Sequence, residues 1–120
     1  MKHKPPSQRQ LKVGELIRHS LSNMFIRGEI PYLDGTSVTV SEVQVSPDLK
    51  NAVAFIYPLA GQNADKLLKA LPDFAGFIRT YVAKEIDMRY APRISFKLDN
   101  SFEYASKITD LLRKAEIPQQ

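Results

Sequence analysis

The sequence predicts a single α+β domain with the element order α-β-β-α-α-β and a last helix after the third strand. Three observations predict it. The 120 residues are 43% hydrophobic and 25% charged, which is typical of one globular domain. Apolar residues recur at helical spacing in four segments and follow strand patterns in three others. No repeat, long linker or low-complexity segment divides the chain.

The first helix is predicted to begin after Ser7, a suitable N-cap, and to end near Gly28 and Pro31. Its apolar side is marked by residues at three- and four-residue spacing. These are Val13, Leu16, Ile17, Ser20, Leu21 and Met24. Residues 1–6 carry two lysines and two prolines without periodicity, so we expect a flexible basic tail before a domain at 7–115 and a short tail at 116–120.

Two antiparallel strands are predicted at 38–46 and 51–57, because residues 46–49 place a proline at the second position of a tight turn. The valines of the first strand change phase. Val38 and Val40 share one face, whereas Val43 and Val45 share the other. A β-bulge near residues 41 and 42 would bring both pairs onto one side of the sheet.

The second half of the chain predicts two closely joined helices, a strand and a final helix. Asn63 is expected to cap the first of these helices and Pro72 to end it. The inward residues expected in the next helix are Phe74, Phe77, Ile78, Tyr81, Val82 and Ile86. After Pro92, apolar and polar residues alternate over 93–98 as in a strand. The last helix is expected to start at residue 100 or 101.

The positive charge is concentrated in two stretches. The net charge is +4 and the isoelectric point is about 9.4. Residues 1–28 carry +5, residues 29–75 carry −3, residues 76–100 carry +2, and the last twenty residues are neutral. This asymmetry favours a polyanionic partner, nucleic acid before membrane. It also fits an ordinary solvated surface with a modest positive excess, so charge alone leaves both interpretations open.

The residue inventory argues against an enzyme. There is no cysteine, which excludes thiolate catalysis, cysteine-ligated metal sites and disulfides. His3 lies in the expected tail and His19 on the exposed side of the first helix, without the spacing of a metal site. The five glycines are too scattered for a phosphate-binding loop. We therefore expect no catalysis, metal, cofactor or small-molecule substrate.

A cytoplasmic protein is expected from the same sequence. No apolar run approaches the roughly 18–20 residues that span a bilayer. The polar first ten residues lack the apolar centre of a signal peptide.

The predicted order of elements is that of the bacterial-type KH domain, in which a three-stranded sheet is packed by helices. Such domains usually clamp a nucleic-acid backbone with a Gly-x-x-Gly loop between the two central helices. Here that junction holds Pro72 and the single Gly76. A KH-like fold without the usual clamp is therefore expected, and any RNA contact must use other groups.

Four patterns then occur in a fixed order between residues 8 and 114. The first helix carries Arg9, Val13, Glu15, Ile17 and Leu21. The first turn reads Val43-Gln44-Val45-Ser46-Pro47-Asp48-Leu49. The third strand region reads Arg89-Tyr90-Ala91-Pro92-Arg93-Ile94-Ser95-Phe96-Lys97-Leu98-Asp99-Asn100-Ser101, and the last helix carries Ile108 and Leu111. Together they resemble the ribosome-binding factor A family of bacterial small-subunit assembly, and Gly76 fits its Ala-x-Gly kink, with Phe74 in place of the alanine.

The resemblance implies a cytoplasmic, non-catalytic factor that binds the immature 30S subunit. It further implies contact with 16S ribosomal RNA, support of rRNA processing and late maturation, a functional link to assembly GTPases and importance for growth in the cold. Ribosomal proteins are further partners that it allows, and the factor is expected to be monomeric off the ribosome.

The residues expected to bind RNA are the cations of the two basic stretches that fall outside the apolar stripes. They are Arg9, Lys12, Arg79, Lys84, Arg89 and Arg93. Tyr57, Tyr81 and Tyr90 would stack on bases if exposed, although two of them fit apolar faces. The alternative is a KH-like protein-interaction module that does not touch RNA, which the missing clamp would also suit.

Overall fold

A computed structural model describes residues 5–30, 37–58 and 64–99 of the chain. Its elements are α1 (Gln8–Ile26), β1 (Val38–Val45), β2 (Asn51–Pro58), α2 (Ala64–Ala70), a 3-10 turn (Leu71–Phe74), α3 (Ala75–Glu85) and β3 (Arg93–Leu98). The strands form one sheet in the order β1-β2-β3. β1 and β2 are antiparallel, whereas β2 and β3 are parallel. The predicted α-β-β-α-α-β order is confirmed, and the Asn63 cap and the last helix lie outside the described residues.

The start of α1 is fixed by its cap and by a bond to the sheet. The Ser7 Oγ accepts from the Gln10 backbone N–H at 3.1 Å, and the Gln10 Oε1 accepts from the Ser7 N–H at 2.8 Å. This reciprocal capping box satisfies two backbone donors at the helix end. The Gln10 Nε2 also donates to the Val45 carbonyl at 2.8 Å. The first turn of α1 is therefore held against the end of β1.

Further along α1, the helix backbone approaches β1 closely at Gly14. A Cβ atom placed on Gly14 would lie 2.6 Å from the Val43 carbonyl oxygen, closer than real Cβ contacts allow. Buried residues on the same side of the helix pack into the core, among them Ile17, Leu21 and Met24. The helix ends where Gly28 adopts a φ of 65°, a conformation that glycine reaches without steric cost.

The predicted bulge in β1 is confirmed. The pairing register with β2 shifts between Val40 and Glu42, so Ser41 is the extra residue. The Ser41 hydroxyl donates to the Phe55 carbonyl at 3.2 Å and also bonds the Asp99 carboxylate. Because an extra residue inverts the alternation of the strand, Val40 and Val45 are both buried on the helix side of the sheet.

The core lies between the helices and one face of the sheet. Its central strand contributes Ala52, Ala54 and Ile56, all at most 2% exposed. Phe77 was expected to point inward, and this is wrong, since its side chain is 43% exposed. Ile78 and Val82 form the buried stripe of α3. Phe77 precedes Ile78 by about 100° of helical rotation and instead lies beside the Tyr81 ring, with centroids 6.2 Å apart.

The junction between α2 and α3 contains the proline that was predicted to end the first of these helices. α2 ends at Ala70, and Pro72 lies in the 3-10 turn that joins it to α3, as expected from the missing proline N–H.

None of the helices in residues 5–30, 37–58 and 64–99 combines the length and apolar character that crossing a bilayer requires.

Candidate nucleic-acid interface

A cationic cleft lies at the end of the sheet where the β1–β2 turn, the start of β3 and α3 meet. Its volume is about 480 Å³, within the range of about 300–1,000 Å³ that is typical of small-ligand sites. We call this feature the cleft. It is lined by Leu49, Lys50, Asn51, Arg79, Tyr90, Ala91 and Arg93.

Parallel pairing of β2 and β3 brings two of the cations together. Asn51 of β2 is the register partner of Arg93 of β3. The Arg93 backbone N–H donates to the Lys50 carbonyl at 2.8 Å. Lys50 and Arg93 are both exposed, and both residues line the cleft.

Arg79 supplies the third charge from α3. Its Nε donates to the Ala91 carbonyl at 2.9 Å, which attaches the guanidinium to the segment before β3. This bond uses one of the five N–H donors of a guanidinium. Ala91 is 2% exposed, so its carbonyl gives Arg79 a well-anchored acceptor. The arrangement holds a positive fork beside the cleft, a geometry that suits phosphate oxygens.

The turn that carries Lys50 is fixed by a hydrogen-bonded network. Asp48 Oδ1 accepts from the Ser46 Oγ at 2.6 Å and from the Lys50 N–H at 3.0 Å. The Asn51 N–H donates to the Ser46 Oγ at 3.0 Å. Leu49 has a φ of 62°, a left-handed conformation that is uncommon for leucine. The surrounding bonds hold the turn in this conformation and fix the position of Lys50.

The same network lowers the pKa of Asp48 below its usual value of 3.8. The main cause is the Ser46 hydroxyl bond, followed by the Lys50 N–H bond. Both bonds favour the charged carboxylate. Folding is therefore stabilised above the pKa that Asp48 has in the unfolded chain, and this contribution is lost as pH falls through the lower pKa of the folded state.

Asp48→Ala is expected to be less stable than wild type at about pH 7, and the difference should shrink as pH falls below about 4. Asp48→Asn keeps an oxygen acceptor without a titrating charge, so its stability relative to Asp48→Ala should not depend on pH. Urea unfolding midpoints, measured from about pH 7 to below about pH 4, give the difference between wild type and Asp48→Ala and the difference between Asp48→Asn and Asp48→Ala. A wild-type advantage over Asp48→Ala that is equal at both ends of the range would contradict the assignment.

Tyr90 is the exposed aromatic residue of the cleft, at 69% exposure. The Arg89 guanidinium lies 5.4 Å from its ring centroid, a cation–π distance, and Arg89 is not among the lining residues. Tyr57 and Tyr81 are only half-exposed. Of the three tyrosines considered for stacking, Tyr90 is therefore the best placed.

The remaining candidate cations are exposed and do not line the cleft. Arg9 and Lys12 are exposed on the first turns of α1, at the end of the sheet where Gln10 bonds Val45. Lys84 is exposed near the end of α3. The structure thus places Arg79 and Arg93 on the cleft and Arg89 beside Tyr90. The other three cations lie outside the cleft lining.

The structure adds one residue to the site and supports leaving another out. Lys50 belongs to the site although it lies in the acidic middle of the sequence, and only the pairing of β2 with β3 reveals it. Arg18 is paired with Glu15 through a side-chain ion pair, which raises the pKa of Arg18 and lowers that of Glu15. Its charge is therefore partly neutralised, and Arg18 was not among the six candidates.

Comparison with known proteins gives one consistent family. The family model for ribosome-binding factor A matches residues 9–112. Ribosome-binding factor A of Pelagibacter ubique is 46% identical over 113 residues, covering 92% of this chain and 93% of that protein. The Paracoccus denitrificans protein of the same name is 46% identical over 114 residues, covering 93% and 83%.

Solved structures of the same family share the fold. The crystal structure of ribosome-binding factor A from Thermus thermophilus is similar with a TM-score of 0.63 at 20% identity, covering 74% of this chain and 94% of that one. The solution structure of a Thermotoga maritima protein described as a putative ribosome binding factor A has a TM-score of 0.63 at 26% identity, covering 79% and 91%.

Proposed function

The chain belongs to the ribosome-binding factor A family, and from this premise we propose that it binds the immature 30S ribosomal subunit through 16S rRNA. Bound there, it supports rRNA processing and late maturation of the subunit. The single observation that carries the proposal is the convergence of Lys50, Arg79 and Arg93 on one cleft. A related structure, from Thermus thermophilus, is a homology model of that organism's factor fitted into a cryo-EM map of a 30S complex.

The physical basis of binding is the neutralisation of phosphates. RNA condenses counterions, and a protein cation that replaces them releases these ions to the solvent. Guanidinium groups hold phosphate oxygens with two parallel hydrogen bonds, whereas an ammonium acts as a point charge. Arg79 and Arg93 are therefore expected to set the orientation of the backbone, with Lys50 adding charge beside them.

The proposed role is binding without catalysis. The cations of the cleft are proposed to hold phosphates through charge-assisted hydrogen bonds. The domain proposed to do this spans residues 7–115. The wider role follows the family resemblance: a cytoplasmic protein, monomeric off the ribosome, released with the help of assembly GTPases and needed most in the cold.

The test measures binding to three partners: precursor 30S particles, mature 30S particles and a protein-free 16S rRNA transcript. We expect tighter binding to precursor than to mature particles, and salt-sensitive binding to the transcript. Binding to particles with none to the transcript would favour the protein-interaction alternative. No preference for the precursor would contradict a role in maturation.

A further inference from the structure

We propose that the cleft takes one unpaired ribonucleotide, with its base stacked on Tyr90 and its phosphate held by Arg79, Arg93 and Lys50. This inference rests on the proposed function and specifies the form of RNA that the site selects. Cations alone would bind single-stranded and duplex RNA alike, because both carry phosphates. The Tyr90 ring is the group that distinguishes single-stranded from duplex RNA.

The Tyr90 ring is presented in a way that suits stacking. Arg89 lies over the ring at 5.4 Å without lining the cleft, so it occupies one face from outside. Tyr90 lines the cleft and is 69% exposed, and we assign the base to the ring face opposite Arg89. In a duplex both faces of an internal base are covered by its stacked neighbours, and only an unpaired base offers a face to a protein ring.

The backbone that carries the ring is also held in place by the two residues after it in the chain. Ala91 and Pro92 are both buried, and the Ala91 carbonyl accepts from the Arg79 Nε. The segment that carries Tyr90 is therefore tied to the core and to the phosphate-binding fork at the same point. A preorganised ring loses less conformational freedom on binding than one on a loose loop.

The size of the cleft agrees with a single nucleotide. Its volume of about 480 Å³ lies toward the lower end of small-ligand sites. Three cations and one aromatic ring around this space supply what one nucleotide needs: positive charge for the phosphate and an apolar surface for the base. The backbone bond from the Arg93 N–H to the Lys50 carbonyl joins the two main chains at the cleft, which both residues line.

The test compares wild type with Tyr90→Ala and Tyr90→Phe on two RNA probes. One probe is a short unstructured oligonucleotide with a 2-aminopurine base, and the other is a hairpin that places the same bases in its stem and closes it with a non-nucleotide linker, so that it has no unpaired base. Loss of one stacked base is worth about 1–3 kcal/mol, so Tyr90→Ala should weaken single-strand binding about 5- to 150-fold. Tyr90→Phe keeps the ring and should bind like wild type. Hairpin affinity should change less than about twofold in both variants.

The single-strand salt slope should be the same in all three proteins, because the ring carries no charge. In wild type the 2-aminopurine emission should change on binding, and this change should vanish in Tyr90→Ala. Thermal unfolding checks that both variants are folded, which the exposure of Tyr90 favours.

Other outcomes overturn the proposal in separable ways. If Tyr90→Ala binds both probes like wild type while loss of Arg93 weakens both, the cleft is an electrostatic surface only, and the proposed function stands. If Tyr90→Ala weakens both probes equally, the site does not select unpaired RNA. If wild type binds neither probe and no 16S rRNA transcript, the proposed RNA contact fails together with this inference.

Discussion

Gly14→Ala is expected to lower the free energy of unfolding by about 2 kcal/mol. Alanine is the better helix former by about 1 kcal/mol, so propensity alone would predict a stabilised variant. The added Cβ, however, would meet the Val43 carbonyl oxygen at 2.6 Å. Because that oxygen belongs to the backbone, relief requires α1 to move away from β1, which costs up to about 3 kcal/mol of overpacking strain.

Gly76→Ala is the matched control. Gly76 is also helical, at the start of α3, but a Cβ added there would meet no atom within 4 Å. This variant should be as stable as wild type or more stable by up to about 1 kcal/mol. Urea unfolding followed by circular dichroism measures both. Equal stability of the two variants would show that α1 does not pack closely on β1.

The second large effect concerns charge at the cleft and beside it, at Arg93 and Arg89. Replacing Arg89 and Arg93 together by glutamine should weaken binding to 16S rRNA about twentyfold at about 0.15 M salt, if each makes one phosphate contact. The slope of log K against log salt should become shallower by about 0.7–0.9 for each phosphate that is no longer neutralised. The weakening should be similar for different RNA sequences, because phosphate contacts position the RNA without specifying bases.

The joint replacement of Arg9 and Lys12 is expected to flatten the slope as well, since both are exposed cations of the first basic stretch. A control with the same change in net charge replaces Lys66 and Lys69 of α2, which are exposed and do not line the cleft. Its slope should match wild type, and all variants should unfold near the wild-type temperature. If the α2 control loses as much affinity as the Arg89 and Arg93 variant, binding depends on net charge and not on the cleft.

Much of the fold was predictable because local patterns determine it. Ser7 is followed three residues later by Gln10, which is a capping-box spacing, and the helix begins there. The phase change of the valines predicted the bulge, because strand alternation leaves no other way to bury Val40 and Val45 together. Phe77 was predicted wrongly because it lies at the edge of the apolar stripe of α3. Periodicity alone does not show how much of that stripe the neighbouring elements cover.

The site was predictable only in part. Exposure of the six candidate cations follows from their positions outside the apolar stripes. The convergence of Arg79, Arg93 and Lys50 on the cleft does not follow from those positions, because it depends on which strands pair in parallel and on the bond between Arg79 and the Ala91 carbonyl. Lys50 lies in a locally acidic stretch and carries no sequence signal of its own. The cleft is assembled by strand pairing between segments that lie far apart in the chain, and local sequence patterns do not encode that pairing.

The most direct test places a chemical probe at the cleft and maps the RNA near it. Because the chain has no cysteine, Asn51→Cys introduces a single thiol on the cleft lining to which a hydroxyl-radical source can be attached. Thr39→Cys is the control, exposed near the opposite end of β1 and about 20 Å from Val45 at roughly 3.3 Å per residue. On precursor 30S particles, the Asn51 probe should cut 16S rRNA strongly and the Thr39 probe weakly. Strong cutting from Thr39 with none from Asn51, in particles that bind both variants, would contradict an RNA-facing cleft.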